Sequence, residues 1–183
     1  MKKICVYCGS KPGNDEAFMA SASSLGHTMT TKKIDLVYGG ASIGLMGQIA
    51  DSVLSGGGSV TGVIPKALFK HEVVHTGLSE LISVNSMHQR KEKMAELFDG
   101  FIALSGGFGT LEELFEAITW SQLRIHNKPI GLLNVDGYYD QLDQFIEHCV
   151  SSGFIKPEHK ALYAIHSNPD ALIDLMGNLI VKP

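Results

Sequence analysis

Three glycines, a threonine and two glutamates fall together in Ser105-Gly106-Gly107-Phe108-Gly109-Thr110-Leu111-Glu112-Glu113. An apolar run, Phe101-Ile102-Ala103-Leu104, leads in, and Leu111, Leu114, Phe115 and Ile118 leave at the i, i+3, i+4, i+7 spacing of a helix. The glycines therefore sit where a buried strand turns into a helix. Glycine lets backbone N–H groups approach a ligand closely. A helix N-terminus carries partial positive charge, so such a turn is an anion site, most often for phosphate. A carboxylate in the first turns of the same helix points to chemistry on a phosphorylated substrate.

A second group of charges lies upstream. Met87, Met94 and Phe98 share one helix face, and Arg90 and Lys91 project onto it at i+3 and i+4. Two cations near a helix start run against the dipole. Snorkelling accounts for one of them, and an anionic ligand or an inward glutamate for the pair. Glu112 and Glu113 fit the ordinary preference for acids in a first turn. Glu113 is placed opposite the Leu111–Leu114–Ile118 stripe and on the face of Trp120, which predicts a carboxylate in a second, partly desolvated surface suited to acid–base work.

Other chemistries lack their residues. Gly107-x-Gly109 has no third glycine for a dinucleotide fingerprint, and a P-loop needs Gly-Lys-Ser/Thr where this chain has Gly109-Thr110-Leu111. No Gly-x-Ser-x-Gly elbow occurs. Cys5-x-x-Cys8 has no second pair to complete a zinc site, and the eight histidines are scattered, so no metal is expected. A net charge of −4 gives no support for nucleic-acid or anionic-membrane binding. No apolar run approaches the roughly 20 residues of a membrane span. The first residues lack the apolar core and small-residue cleavage site of a signal peptide, and three cysteines make no disulfide framework, which predicts a cytoplasmic protein.

These groups need a frame, and strand and helix patterns alternate along all 183 residues. Strands are predicted at Ile4–Tyr7, Leu36–Tyr38, Val60–Ile64, Leu81–Val84, Phe101–Leu104 and Pro129–Asn134. Helices are predicted over Phe18–Met29, Leu45–Leu54, Met87–Phe98, Thr110–His126, Tyr138–Val150 and Ala171–Ile180. Lys66–Ser79 reads as loop, and a short element is expected near Pro157–Tyr163. Buried strands separated by helices predict one α/β domain over 1–183, a Rossmann-like, doubly wound, mostly parallel sheet with helices on both faces. Ligands bind such sheets at strand carboxyl ends. Three glycine turns, Gly9–Gly13, Gly39–Gly47 and Gly106–Gly109, fall at such ends and predict one crevice.

Taken together, Gly106-Gly107-Phe108-Gly109-Thr110-x-x-Glu113 and Met87-His88-Gln89-Arg90-Lys91 closely resemble the LONELY GUY (LOG) family, cytokinin riboside 5′-monophosphate phosphoribohydrolases. The resemblance extends through Val6-Tyr7-Cys8-Gly9-Ser10, Asp35-Leu36-Val37-Tyr38-Gly39-Gly40, Gly62-Val63-Ile64-Pro65, Ile118-Thr119-Trp120 and Lys128–Tyr139. It implies hydrolysis of a purine nucleoside 5′-monophosphate, of cytokinin type or AMP, to free base and ribose 5-phosphate, without a cofactor. It implies a catalytic pair, Arg90 and Glu113. It implies nucleotide binding by Glu72, Arg90, Lys91, Gly107, Phe108, Gly109, Thr110, Leu111, Glu112, Glu113 and Thr119. A homodimer with sites near the subunit interface is implied as well. Arg90 is expected to orient Glu113 through a charge-assisted pair. The family has also carried the label lysine decarboxylase, but nothing in this chain supports a pyridoxal phosphate site.

Two positions depart from the pattern. Ser105 stands where the family motif begins with proline, and Ala41 where it has a third glycine. If position 41 needs positive φ, alanine is costly there. The alternative reading is a nucleotide or phosphorylated-cofactor carrier on the same fold, because function lies in the site rather than the fold.

Overall fold

The chain opens in the middle of its own sheet. In the computed structural model, which describes residues 1–70 and 73–179, strand β1 (Lys3–Tyr7) lies between β2 (Asp35–Tyr38) and β5 (Gly100–Ala103). From β1 the chain winds outward through β3 (Val60–Pro65) to β4 (Glu80–Val84). It then returns to β5 and winds the other way through β6 (Ile130–Leu133) to β7 (Tyr163–His166). All pairings are parallel; Ile4 stands opposite Leu36 on one side and Gly100 on the other. The winding reverses between β1 and β5, where a crevice opens at the strand carboxyl ends.

The expected fold is the one observed, and its alternating side chains explain it. Ile4, Val6 and Leu36 face one core with α1 (Glu16–Thr31), α2 (Gly44–Ser55) and α6 (Pro169–Asn178), whose Leu25, Ile49 and Leu172 are fully buried. Cys5, Tyr7 and Phe101 face a second core with α3 (Met87–Leu97), α4 (Phe108–Gln122) and α5 (Asp140–Ser151). Strands buried on both faces read as continuous apolar runs, which is why they were legible. Met94 anchors α3 to this second core with no exposed surface. Truncation of such a residue to alanine typically costs about 2–5 kcal/mol.

Three expectations are corrected. Strand β7, which completes the sheet by pairing Ile130 with Tyr163, was not foreseen; four residues of mixed polarity carry little period-2 signal. Helix α4 begins at Phe108 and ends at Gln122, because Arg124 takes a left-handed φ of 60° without a glycine to announce it. The buried stripe of α4 is also rotated from the expected one. Thr110, Leu114 and Ala117 are buried, Leu111 and Ile118 pack at its edge, and Phe115 is exposed. Glu113 thus borders the sheet-facing side of α4 instead of opposing it.

Candidate active site

A cleft of about 630 Å³ occupies the crevice between β1 and β5. All three glycine turns contribute to its wall, as their positions after strands predict. Gly107 is the N-cap of α4, and no side chain caps the helix. Leu111 is the first residue to bond back, its N–H donating to the Gly107 carbonyl at 3.0 Å. The N–H groups of Phe108, Gly109 and Thr110 therefore stay free at the positive end of the helix dipole, an arrangement that suits a phosphate. Gly106 is required by packing: a Cβ there would lie 2.2 Å from the Thr110 hydroxyl and 2.9 Å from the Gly9 nitrogen.

Glu113 lies one turn beyond Thr110 on the same face of α4 and lines the cleft. Helical side chains lean toward the N-terminus, so its carboxylate points back toward the free amides. Burial pushes its pKa up to about 7, against the lowering pull of Arg90 and with a further upward push from Glu112. A carboxyl that titrates near neutrality is poised for proton transfer or charge stabilisation.

Arg90 reaches the cleft from α3. Its helix starts at a Ser86 cap, whose hydroxyl accepts the Gln89 N–H at 3.1 Å, while the Gln89 side chain accepts the Asn85 N–H at 2.8 Å. Arg90 is 7% exposed, and its Nε has no hydrogen-bond partner. Its Nη1 lies 4.0 Å from the Met87 sulfur. The expected ion pair with Glu113 does not form: among the described residues no N···O contact within 4.0 Å joins them. Buried cations are normally paired. This one instead faces a cleft with a near-neutral carboxyl across it, leaving its donors for a ligand.

The remaining expected residues divide. Gly107, Phe108, Gly109, Thr110, Arg90 and Glu113 share the cleft. Lys91, Leu111, Glu112 and Thr119 do not line it. Lys91 instead bridges α3 to α4, its ammonium 2.7 Å from Glu112 and 2.8 Å from Glu116. Glu72 lies outside the described residues. Ala41 is free of strain: the left-handed conformation falls on Gly40, with φ 89°, and Ala41 is buried in the core. Cys8 lines the cleft as a neutral thiol, its pKa pushed far up by burial and by Glu113. No cluster of metal-ligating side chains occurs among the described residues.

Sequence reasoning missed Tyr138, Phe18 and Leu68, which also line the cleft. Tyr138 matters most. Its hydroxyl donates to the Gly106 carbonyl at 2.5 Å, and its ring meets Phe18 edge-on at 5.7 Å. Asp136 (φ 48°) and Gly137 (φ 72°) form the left-handed turn that delivers it. An Asp-Gly pair shortly after a strand was the available signal.

Comparison with known proteins adds sequence relatives and fold neighbours. A family described as possible lysine decarboxylase matches residues 46–176. The chain is 53% identical over its whole length to the probable cytokinin riboside 5′-monophosphate phosphoribohydrolase LOGL5 of Oryza sativa subsp. japonica, covering 74% of that protein. It is 47% identical to the cytokinin riboside 5′-monophosphate phosphoribohydrolase LOG2 of Arabidopsis thaliana, over 99% of this chain and 85% of that one. Among solved structures, the molybdenum cofactor carrier protein of Chlamydomonas reinhardtii superposes with a TM-score of 0.74 at 21% identity, covering 98% of each chain. The molybdenum cofactor binding protein of Rippkaea orientalis gives 0.71 at 23%, covering 99% of each. At that identity the likeness is one of fold alone.

Proposed function

The chain belongs to the LONELY GUY family of cytokinin riboside 5′-monophosphate phosphoribohydrolases, and from that premise we propose that it hydrolyses the N-glycosidic bond of purine nucleoside 5′-monophosphates, releasing free base and ribose 5-phosphate. One observation carries the reading. A carboxyl titrating near 7 and a buried, unpaired guanidinium face the same cleft as an uncapped helix N-terminus.

The chemistry follows from this placement. The free N–H groups of Phe108, Gly109 and Thr110 hold the 5′-phosphate. Glu113 stands five residues along α4 from Phe108, about 7.5 Å at 1.5 Å per residue. That span is on the scale of a ribose 5-phosphate from phosphorus to the anomeric carbon. As the base departs, positive charge develops on the ribose. The Glu113 carboxylate stabilises it and takes a proton from the attacking water; the water's oxygen bonds the anomeric carbon as the carbon–nitrogen bond breaks, and one proton of the water ends on the released base. Arg90 donates to the ribose phosphate and favours the ionised form of Glu113 across the cleft without a direct ion pair to it. Binding of the non-reacting phosphate fixes the reacting carbon against Glu113. Free base from AMP, and none from the Glu113→Gln variant, is the result this requires. A carrier on the same fold has no use for a carboxyl poised near neutrality, so the pair favours turnover.

The reading extends to assembly and place. The substrate is a small molecule, and no helix among the described residues is long and apolar enough to cross a membrane. The outer face of α4 and its C-terminal turn expose Phe115 (40%), Leu123 (62%) and Ile125 (63%), a surface that suits a second copy of the chain. A homodimer is expected in solution; the mass of a single chain at micromolar concentration would contradict it. The three free cysteines accord with a reducing, cytoplasmic setting.

A further inference from the structure

Two buried side-chain polar atoms among the described residues have no hydrogen-bond partner, and both belong to residues that line the cleft. One is Arg90 Nε, already placed in the catalytic machinery. The other is the Ser105 hydroxyl, on a residue only 6% exposed. A buried hydroxyl left without a partner is costly. Its persistence at the floor of a ligand cleft calls for an acceptor that arrives with the ligand.

We propose that Ser105 is a further phosphate-binding residue, its hydroxyl donating to an oxygen of the substrate's 5′-phosphate. This rests on the nucleotide reading above and adds to it a donor that the glycine turn alone does not supply. The backbone here is held on both sides. The Ser105 carbonyl accepts the Gly9 N–H at 3.0 Å, and the next carbonyl, of Gly106, accepts the Tyr138 hydroxyl. Only the serine χ1 is left to move, and rotation between its staggered wells swings the hydroxyl within the turn. The turn leads in three residues to the free amides of Phe108, Gly109 and Thr110. The Ser105 N–H also has no backbone acceptor among the described residues. Ser105, the free amides and Arg90 line the same cleft, so the rotated hydroxyl meets an anion there, and the phosphate monoester is the anion this cleft is shaped to hold.

Direct titration with ribose 5-phosphate, which is not turned over, tests this in the wild type and in Ser105→Ala. The variant should bind ribose 5-phosphate about tenfold more weakly, the loss expected for one hydrogen bond to a charged group. Its unliganded melting temperature should be unchanged or higher, since an orphan hydroxyl is removed. With AMP its KM should rise while kcat holds. Equal affinity in both proteins would overturn the proposal and leave the hydroxyl a partner for water only. So would a fall in affinity matched by a fall in melting temperature, which marks a structural role. Should Ser105→Ala fail to fold, Ser105→Pro serves instead. It too lacks the hydroxyl, and it sacrifices no backbone hydrogen bond, because this N–H has no acceptor. Ser105-dependent binding of ribose 5-phosphate without base release from AMP would sink the hydrolase reading and keep this one. Base release with unchanged affinity in Ser105→Ala would do the reverse, and no binding of ribose 5-phosphate by the wild type would overturn this proposal while leaving the hydrolase reading to product analysis.

Discussion

The guanidinium of Arg90 occupies the space that a side chain at Gly39 would need. A Cβ at Gly39 would lie 2.2 Å from Arg90 Nη2 and 2.3 Å from the Met46 methyl. The first glycine after β2 thus makes room for a cation arriving from α3, four helices and strands further along the chain.

That relationship predicts a separation of activity from stability. Both clashing atoms are ends of flexible side chains, so Gly39→Ala should fold, with Arg90 pushed from its seat. A misplaced positioning group costs catalysis steeply. Gly39→Ala should lose about a hundredfold or more in kcat/KM with a melting temperature within a few degrees of wild type. Full activity would show that the seat of Arg90 does not matter.

The raised pKa of Glu113 predicts the acid limb of the pH–rate profile. The reaction needs the carboxylate, so kcat/KM should fall as pH drops through about 7. Arg90 pulls that pKa down. In Arg90→Gln the residual activity should therefore show an acid limb displaced to higher pH. A limb near the ordinary glutamate value in the wild type would contradict the burial of Glu113.

The same shift predicts a stability cost with a defined sign. The folded-state pKa of Glu113 lies above its unfolded value of about 4.5, so the native state holds the extra proton between them. Stability contributed by this group is full below the unfolded pKa and is lost as pH rises through about 7. Glu113→Gln should accordingly stabilise the protein by about 1 kcal/mol or more at pH 8, since one pKa unit is worth about 1.4 kcal/mol. At pH 5 the gain should shrink, as urea unfolding at the two pH values would reveal. An equal effect at both would mean that ionisation is not its cause.

Much of this site was legible in the sequence because its parts are local. Gly107 to Glu113 lie on one helix start, and Arg90 could be singled out as a cation on an apolar stripe. The glycine turns were readable as one crevice because each follows a buried strand. What escaped depends on tertiary placement. The position of Glu113 relative to the core turned on a helix rotation that apolar spacing left one residue adrift, since Phe115 is exposed and Thr110 buried. Lys91 shared Arg90's sequence signal, yet adjacent helical residues diverge by about 100°, and it spans to Glu112 and Glu116 while Arg90 enters the cleft. Tyr138 comes to Gly106 from 32 residues away, and no local pattern encodes that contact.

The central claim is hydrolysis at the anomeric carbon by Glu113, and product analysis tests it most directly. The purified protein is incubated with AMP and with isopentenyladenosine monophosphate, and free base and ribose 5-phosphate are quantified by chromatography alongside Glu113→Gln. The account predicts equimolar base and ribose 5-phosphate from at least one nucleotide, and none from the variant although it still binds. Intact nucleotide with the wild type, despite measurable binding, or full turnover by Glu113→Gln, would contradict it.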